Sequence, residues 1–181
     1  MEARLTRRDW INHGLRTLAT EGSNALKVGA MAEALGVSRG SFYWHFADFA
    51  DFRTRLLENW RDRTVDQVIR EFEDEPAGPG RLQRLLKRAF FGKRGLDRAI
   101  RMWAAADADV AKMVAAVDAR RVAYMASLLI DAGVDAGQAQ PRAAFIYWAY
   151  LGQAIVMDPA SAAIDEPALI AIADLFEGQV L

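Results

Sequence analysis

Residues 28–46 read VGAMAEALGVSRGSFYWHF, and their spacing is that of a helix-turn-helix. The stretch predicts a short helix, a three-residue turn and a second short helix. A small Ala32 lets the two helices cross closely. Gly36 tolerates a positive φ in the turn, and Val37 with Phe42 fills the angle between the helices. The N-terminal part of the chain is therefore predicted to be a helix-turn-helix domain.

The second of these helices keeps an outer face whose chemistry suits nucleic acid. Hydroxyl groups, a cation and aromatic rings can meet phosphates, base edges and thymine methyl groups. When such a helix lies in the major groove, its N-terminal residues approach the bases, and Gly40 leaves space where groove and backbone meet. The side chains on this face are Arg39, Ser41, Tyr43, Trp44 and His45.

The run GVSRGSFYWHF resembles the signature of the TetR/AcrR family of bacterial transcriptional regulators, and the resemblance extends over residues 6 to about 60. By position it implies that Phe42 and Phe46 are core residues. It implies that Tyr43 and His45 contact phosphates, and that Arg39, Ser41 and Trp44 read the base sequence. The implied DNA-binding residues are Lys27, Ser38, Arg39, Gly40, Ser41, Tyr43, Trp44 and His45.

Three positions depart from that family pattern. The Ala-Ala pair common in the first helix is His13-Gly14 here, and the Lys frequent at the start of the fourth helix is Phe49. The Thr that usually caps the second helix is Lys27. Loss of the fourth-helix Lys removes one expected phosphate contact, and Lys27 is a candidate to supply another from a different place.

The composition is that of a folded protein without metal or thiol chemistry. Of 181 residues, 52% are hydrophobic and 26% are charged, which argues against disorder. There is no cysteine and there are only two histidines, so neither a metal site nor a cofactor is expected. The longest apolar stretch, residues 143–157, contains Gln153 and is shorter than the roughly 20 residues of a membrane span. The N-terminal MEARLTRR lacks the apolar run of a signal peptide, which predicts a cytoplasmic protein with no membrane partner.

The net charge of −1 conceals an asymmetry along the chain. Residues 1–46 carry six basic and four acidic side chains, whereas the remainder is acidic on balance. This weak bias is compatible with a small DNA-facing module on an acidic body, although the bias alone does not establish one.

Helical periodicity runs through the whole chain and predicts an all-α fold of about nine helices. Residues 1–47 are expected to form a three-helix DNA-binding domain, and residues 48–181 a helical domain for ligand binding and dimerisation. Thr6 and Asp9 predict a capping box, Gly22 ends the first helix, and Asp48 caps the fourth. The later helices are expected near residues 81–94, 96–106, 108–132, 139–157 and 166–178.

The fourth helix is predicted as one strut of about 25 residues that ends in EDEPAGPG, residues 73–80. Apolar residues recur in it every fourth position and mark one face. The series is Phe52, Leu56, Trp60, Thr64, Val68 and Phe72.

The segment of residues 143–157 is apolar on every face, so it needs cover on both sides, and its own domain can supply only one. Together with a stripe on the final helix, it predicts a four-helix dimer interface, the mode the family resemblance also implies. The alternative is a central buried helix in a monomer. The interface candidates are Phe145, Trp148, Ala149, Gly152, Leu169, Ile172, Leu175 and Phe176.

Bulky aromatics between the linker and that interface predict an apolar pocket with a few polar handles. The alternative for any one of them is ordinary core packing. The ligand-binding candidates are Phe90, Arg101, Trp103, Tyr124, Phe145, Tyr147 and Trp148, with Gln153 as a further polar handle.

The leading hypothesis is a homodimeric repressor that binds a palindromic double-stranded operator and is released by a small apolar or aromatic effector. One alternative is an all-helical small-molecule-binding protein or enzyme that does not bind DNA. An enzyme is disfavoured because both histidines lie in the N-terminal part and no nucleophile–base pair or phosphate loop is present. Another alternative is a helical adaptor that kept the fold without DNA binding.

Overall fold

A computed structural model describes residues 5–74, 80–92, 95–156 and 164–178, and every regular element in these ranges is helical, as predicted. Two π-helical turns, Asp62–Asp66 and Gly152–Val156, and one 3-10 turn, Ser23–Ala25, accompany the α-helices. The α-helices are α1 (Arg7–Glu21), α2 (Val28–Ala34), α3 (Arg39–His45), α4 (Phe49–Arg61), α5 (Gln67–Glu73), α6 (Arg81–Phe91), α7 (Gly95–Ala104), α8 (Ala108–Asp131), α9 (Ala136–Leu151) and α10 (Glu166–Glu177).

Some predicted features lie outside the described residues. They are the middle of the linker, residues 75–79, the predicted helix end at residues 93–94, and the end of the helix predicted to reach residue 157. Among the helices that are described, none has both the length and the apolar character needed to cross a membrane.

The helix boundaries of the N-terminal part follow the predicted caps. The Asp9 amide donates to the Thr6 hydroxyl at 3.3 Å, and the Thr6 amide donates to the Asp9 carboxylate at 2.8 Å. Gly22 ends α1 with a φ of +83°, a conformation that favours glycine. Asp48 caps α4 by accepting the Asp51 amide at 2.8 Å. Local side-chain to backbone bonds therefore set these boundaries.

The first compact unit consists of Met1–Asp66 and Gly95–Ala115. In it α1 packs against α4 and α7 around fully buried aromatic side chains. The centroid of the Phe42 ring lies 5.3 Å from the ring centroid of Trp10, 5.0 Å from that of Phe46 and 5.4 Å from that of Phe52. The prediction that Phe42 and Phe46 are core residues is confirmed, and Trp10 and Trp60 are fully buried as well.

The first unit also explains why glycine follows His13 in α1. A Cβ on Gly14 would lie 2.6 Å from Phe52 Cζ and 2.8 Å from Leu56 Cδ1, and both of those side chains are fully buried. A side chain at this position would have to displace two close-packed neighbours. The contact of α1 with α4 thus requires the departure from the Ala-Ala pattern.

Residues 95–115 join the first unit although the sequence placed them in a C-terminal domain beginning at residue 48. Besides the packing of α7 on α1, Arg53 of α4 pairs with Asp107 at 2.6 Å. The Arg53 guanidinium also lies over the Trp103 ring, 5.8 Å from its centroid. The contacts of Arg53 join segments about 50 residues apart in the chain. Periodicity in the sequence does not predict contacts at this separation.

The second compact unit consists of Gln67–Arg94 and Ala116–Leu181. Its core is formed by α6, α8, α9 and α10, with buried Leu82, Leu86, Leu129, Ala143 and Leu169 among its members. At the edge of this core, Gln83 on α6 donates to Asp174 on α10 at 2.5 Å. Lys87 on α6 pairs with Glu166 at the start of α10, also at 2.5 Å.

The single long helix predicted from residue 48 onward is interrupted by the π-helical turn Asp62–Asp66. After buried Trp60 the next buried residues are Val65 and Ile69, five and nine positions on, so the predicted Thr64 and Val68 are only half-buried. The Thr64 hydroxyl donates to the Trp60 carbonyl at 2.8 Å within this wider turn. The turn inserts one residue and shifts the apolar face by one position.

This register can be tested by truncating neighbouring residues. We expect Val65→Ala to lower the free energy of unfolding by about 2 kcal/mol, because it removes two buried methyl groups and leaves a cavity. Thr64→Ala should cost under about 1 kcal/mol, because this side chain is half-buried and alanine favours the helix. Urea unfolding of the two variants measures the difference. A larger loss for Thr64→Ala would indicate an uninterrupted α-helical register.

Candidate functional site

The turn between α2 and α3 has the geometry that the sequence predicted. Gly36 adopts a φ of +67°. The Gly36 amide donates to the Glu33 carbonyl and the Val37 amide to the Ala32 carbonyl, each at 3.0 Å. Ala32 is buried where the helices meet. This local structure defines a helix-turn-helix.

The helix α3 has only seven residues, so it depends on packing for its stability. Its inner side carries Phe42, which is fully buried, and the chain buries Phe46 directly after it. Its outer side carries Tyr43 and Trp44, with 59% and 71% of their surface exposed. Two neighbouring exposed aromatic side chains are characteristic of a surface that meets a partner.

The C-terminal end of α3 is tied to the start of α1 by contacts that the sequence analysis missed. The His45 Nε2 lies 2.9 Å from the Leu5 carbonyl oxygen, so this nitrogen carries the proton and donates. Arg7 Nε donates to the His45 carbonyl at 3.2 Å, and its guanidinium lies 5.8 Å from the Phe46 ring centroid. Because Nε2 donates within the fold, a phosphate contact by this ring would require a second proton, on Nδ1.

The remaining candidate DNA-binding residues lie at the surface of the same domain. Lys27 and Ser38 precede α2 and α3, and neither side chain makes a capping hydrogen bond there. The Lys27 ammonium and the Ser38 hydroxyl are therefore not used in helix capping. Lys27, Ser38, Arg39 and Gly40 are exposed, and Ser41 and His45 are half-buried.

Phe49 stands where the family pattern favours a lysine. Its ring tilts against that of Phe52, with centroids 5.9 Å apart, and it remains more than a third exposed. The position therefore extends the aromatic core toward the surface and supplies no charge.

In the second unit, the candidate residues Phe90 and Tyr147 come together with Tyr150. The Tyr147 ring stacks on Tyr150 at 5.8 Å, and Tyr150 meets Phe90 edge-on at 5.9 Å. The Tyr147 hydroxyl donates to Asp118 at 2.6 Å and accepts from Arg121 Nη1 at 3.2 Å. The cluster thus combines apolar rings with a charged hydrogen-bond network.

Two polar side-chain atoms of the second unit, Arg81 Nε and Gln153 Oε1, are buried without a hydrogen-bond partner in the described structure. The Tyr124 hydroxyl is also buried, and the side chain near it is that of Arg81. Burial raises the pKa of Tyr124, so the phenol stays protonated at neutral pH. Because buried polar groups are nearly always satisfied, water or a bound molecule is the usual partner of such atoms.

The other ligand-binding candidates are Arg101, Trp103, Phe145 and Trp148. Arg101 pairs with Asp97 at 3.2 Å within α7, and Trp103 lies beneath Arg53, so both belong to the first unit. Phe145 and Trp148 are at the surface, with 57% and 67% of their area exposed. Phe90, Tyr124 and Tyr147 pack within or against the core of the second unit.

The exposed aromatic residues of α9 lie beside apolar residues of α10. The Phe145 ring is 5.8 Å from that of Phe176, and Arg142 donates to the Phe176 carbonyl at 2.6 Å. Leu175 is 68% exposed. Ala149 and Ile172 are also exposed, and Gly152 and Phe176 are half-buried.

Leu169 differs from the other interface candidates because its side chain packs into the core of its own unit. A buried side chain cannot meet a second copy. The opposite face of α9, including Ala143, Ile146 and Tyr147, is also covered by the chain itself. The alternative of a helix buried on all sides in a monomer therefore does not hold for α9.

This geometry is that of a helix-turn-helix protein with an additional helical unit, and its N-terminal part is similar to known proteins. Residues 11–50 match the family model for bacterial regulatory proteins of the tetR family. The chain is 37% identical to the HTH-type transcriptional regulator AcrR of Shigella flexneri over 57 residues, which are 32% of this chain and 26% of that protein. It is 34% identical to the HTH-type transcriptional regulator TtgR of Pseudomonas putida over 91 residues, 49% of this chain and 43% of that protein.

These alignments span less than half the length of either relative. A solved structure of a TetR-family transcriptional regulator from Rhodococcus sp. superposes with a TM-score of 0.65, covering 94% of this chain and 98% of that one. At 22% identity this match shows a shared fold. The match to the tetR family model includes the α2–α3 region, whose residues predicted a resemblance to that family. Both named relatives are HTH-type transcriptional regulators.

Proposed function

We propose that the protein is a DNA-binding transcriptional regulator whose α3 lies in the major groove of an operator. The observation that carries the proposal is the division of α3 into a buried side, anchored by Phe42, and an outer side that exposes Tyr43 and Trp44. Arg39 at the first position of the helix is exposed as well. This arrangement places donors and aromatic rings where base edges and phosphates would lie.

Selection of binding sites from random duplex DNA, followed by fluorescence anisotropy, tests the proposal. We expect Arg39→Ala to weaken binding roughly 10- to 100-fold and to relax the base preference at one position of each half-site. Lys27→Ala should weaken binding about equally for all sequences and reduce the salt dependence, because it removes a phosphate contact. Lys112→Ala, a charge-matched change on the exposed surface of α8, is the control. Absence of any selected sequence would contradict the proposal.

We further propose that the protein acts as a homodimer through the exposed apolar surface of α9 and α10. Phe145, Trp148 and Leu175 are each more than half exposed, and a patch of this kind is costly in water unless a partner covers it. Pairing of the two helices with their copies would form a four-helix interface around a two-fold axis. Two copies of α3 related by that axis fit a palindromic operator, and repression is the regulatory mode that the family resemblance favours.

A small apolar or aromatic effector is proposed to bind in the second unit. The support is the ring cluster of Phe90, Tyr147 and Tyr150 together with the buried Gln153 Oε1, which has no hydrogen-bond partner in the described structure. An effector changes operator affinity only through a difference in its own affinity for the two states, typically about 1 to 3 kcal/mol. A thermal-shift screen with aromatic and lipophilic compounds, followed by operator binding with each hit, tests this part.

A further inference from the structure

The contact between Gly29 on α2 and Arg39 on α3 stands out in the helix-turn-helix. A Cβ built on Gly29 would lie 2.9 Å from Arg39 Nη2, 3.2 Å from Nε and 3.3 Å from Cζ. The Arg39 side chain therefore extends from the start of α3 back over the first turn of α2. Its guanidinium occupies the space that a side chain at position 29 would need.

The backbone of α2 does not require glycine at this position. Gly29 is the second residue of a regular α-helix, and it is not one of the glycines with positive φ in the described structure. Glycine inside a helix is less favourable than alanine. What the missing side chain provides here is room for the guanidinium.

Arg39 is otherwise uncommitted within the part of the chain that the structure describes. No hydrogen bond or ion pair joins its guanidinium to another described residue, and the side chain is exposed. All of its N–H donors thus remain available to a ligand. A long arginine side chain has many rotamers. If it already lies against α2 in the free protein, it loses less conformational entropy when it binds a ligand.

We propose that Gly29 is a positioning residue that holds Arg39 in the orientation for bidentate contact with guanine O6 and N7. The inference rests on the proposed DNA-binding function and adds a specificity determinant outside the recognition helix. Arginine paired with guanine is the commonest base-specific contact in the major groove, and it requires a defined guanidinium plane. With any side chain at position 29, the guanidinium must move and the base preference at that position must change.

The test compares Gly29→Ala with the wild-type protein, Arg39→Ala and the double variant by site selection and fluorescence anisotropy. Gly29→Ala is expected to fold and to melt at the same or a higher temperature. Its preference for guanine at one position of each half-site should fall about tenfold, at the position where Arg39→Ala loses its preference. The double variant should bind no more weakly than Arg39→Ala alone, because both changes act through one contact. Gly95→Ala is the matched control, since among the described residues a Cβ there would meet only the Ala19 carbonyl, at 3.8 Å.

A DNA-independent measurement separates this inference from the proposed function. Nitrogen-15 relaxation of the Arg39 Nε–H should show an ordered side chain in the free wild-type protein and a more mobile one in Gly29→Ala. Equal order in both proteins, or an unchanged base preference in Gly29→Ala while Arg39→Ala alters it, would overturn the role of Gly29. Failure of the wild-type protein to select any sequence would overturn the proposed function together with this inference.

Discussion

Replacing Phe42 by alanine is expected to lower the free energy of unfolding of the first unit by about 3 to 5 kcal/mol. The ring is fully buried and lies within 5.4 Å of the rings of Trp10, Phe46 and Phe52, so truncation removes several aromatic contacts and leaves a large cavity. Domains typically have only about 5 to 15 kcal/mol of stability. Because α3 is too short to persist without this anchor, sequence-specific DNA binding should be lost as well.

Denaturant unfolding followed by tryptophan fluorescence measures this loss, since Trp10 belongs to the same aromatic core. Phe49→Ala is the matched control, because this phenylalanine is more than a third exposed and should cost far less. Phe42→Leu, which keeps most of the volume, should be milder than Phe42→Ala. Equal losses for Phe42→Ala and Phe49→Ala would mean that Phe42 does not anchor α3.

Replacing Trp148 by glutamate is expected to dissociate the proposed dimer. Each copy would bring an unpaired charge into an apolar interface, and symmetry doubles the effect. At about 2 kcal/mol or more for each lost aromatic contact, the dissociation constant should rise roughly 10³-fold. The fold of the single chain should survive, because two thirds of this side chain is exposed before any partner binds.

Sedimentation velocity over a range of concentrations checks the assembly state. Ile130→Glu on α8 is the matched control, since Ile130 is exposed and apolar but lies outside the α9 and α10 surface. Affinity for a palindromic site should fall with Trp148→Glu and stay unchanged with the control. A Trp148→Glu protein that remains dimeric would place the interface elsewhere, and a monomeric wild-type protein would refute dimerisation.

Short-range patterns were sufficient for the N-terminal helices. Thr6 with Asp9, Gly22, Gly36 and Asp48 act through bonds or backbone conformations within a few residues, so their roles follow from neighbouring sequence. The four-residue spacing of Phe42 and Phe46 likewise indicated which side of α3 is buried. The outer face of α3 was therefore predictable as a candidate nucleic-acid surface.

Longer-range features were not predictable. The recurrence of apolar residues after Trp60 fits a regular helix through Thr64 as well as it fits a wider turn through Val65, and only packing of the flanking residues distinguishes the two. The placement of Arg101 and Trp103 in the first unit depends on contacts with α1 and Arg53. An aromatic composition does not distinguish a pocket from a core or a surface.

The sequence by itself determined that the chain is helical, where its first helices begin and end, and that residues 28–46 form a helix-turn-helix of the TetR type. These properties depend on interactions between residues close in the chain. Tertiary structure alone decided that Arg39 lies against Gly29, that His45 donates to Leu5, and that Trp148 faces outward whereas Leu169 faces the core. Each of these depends on how one helix packs on another, and local periodicity does not contain the angle or the register of that packing.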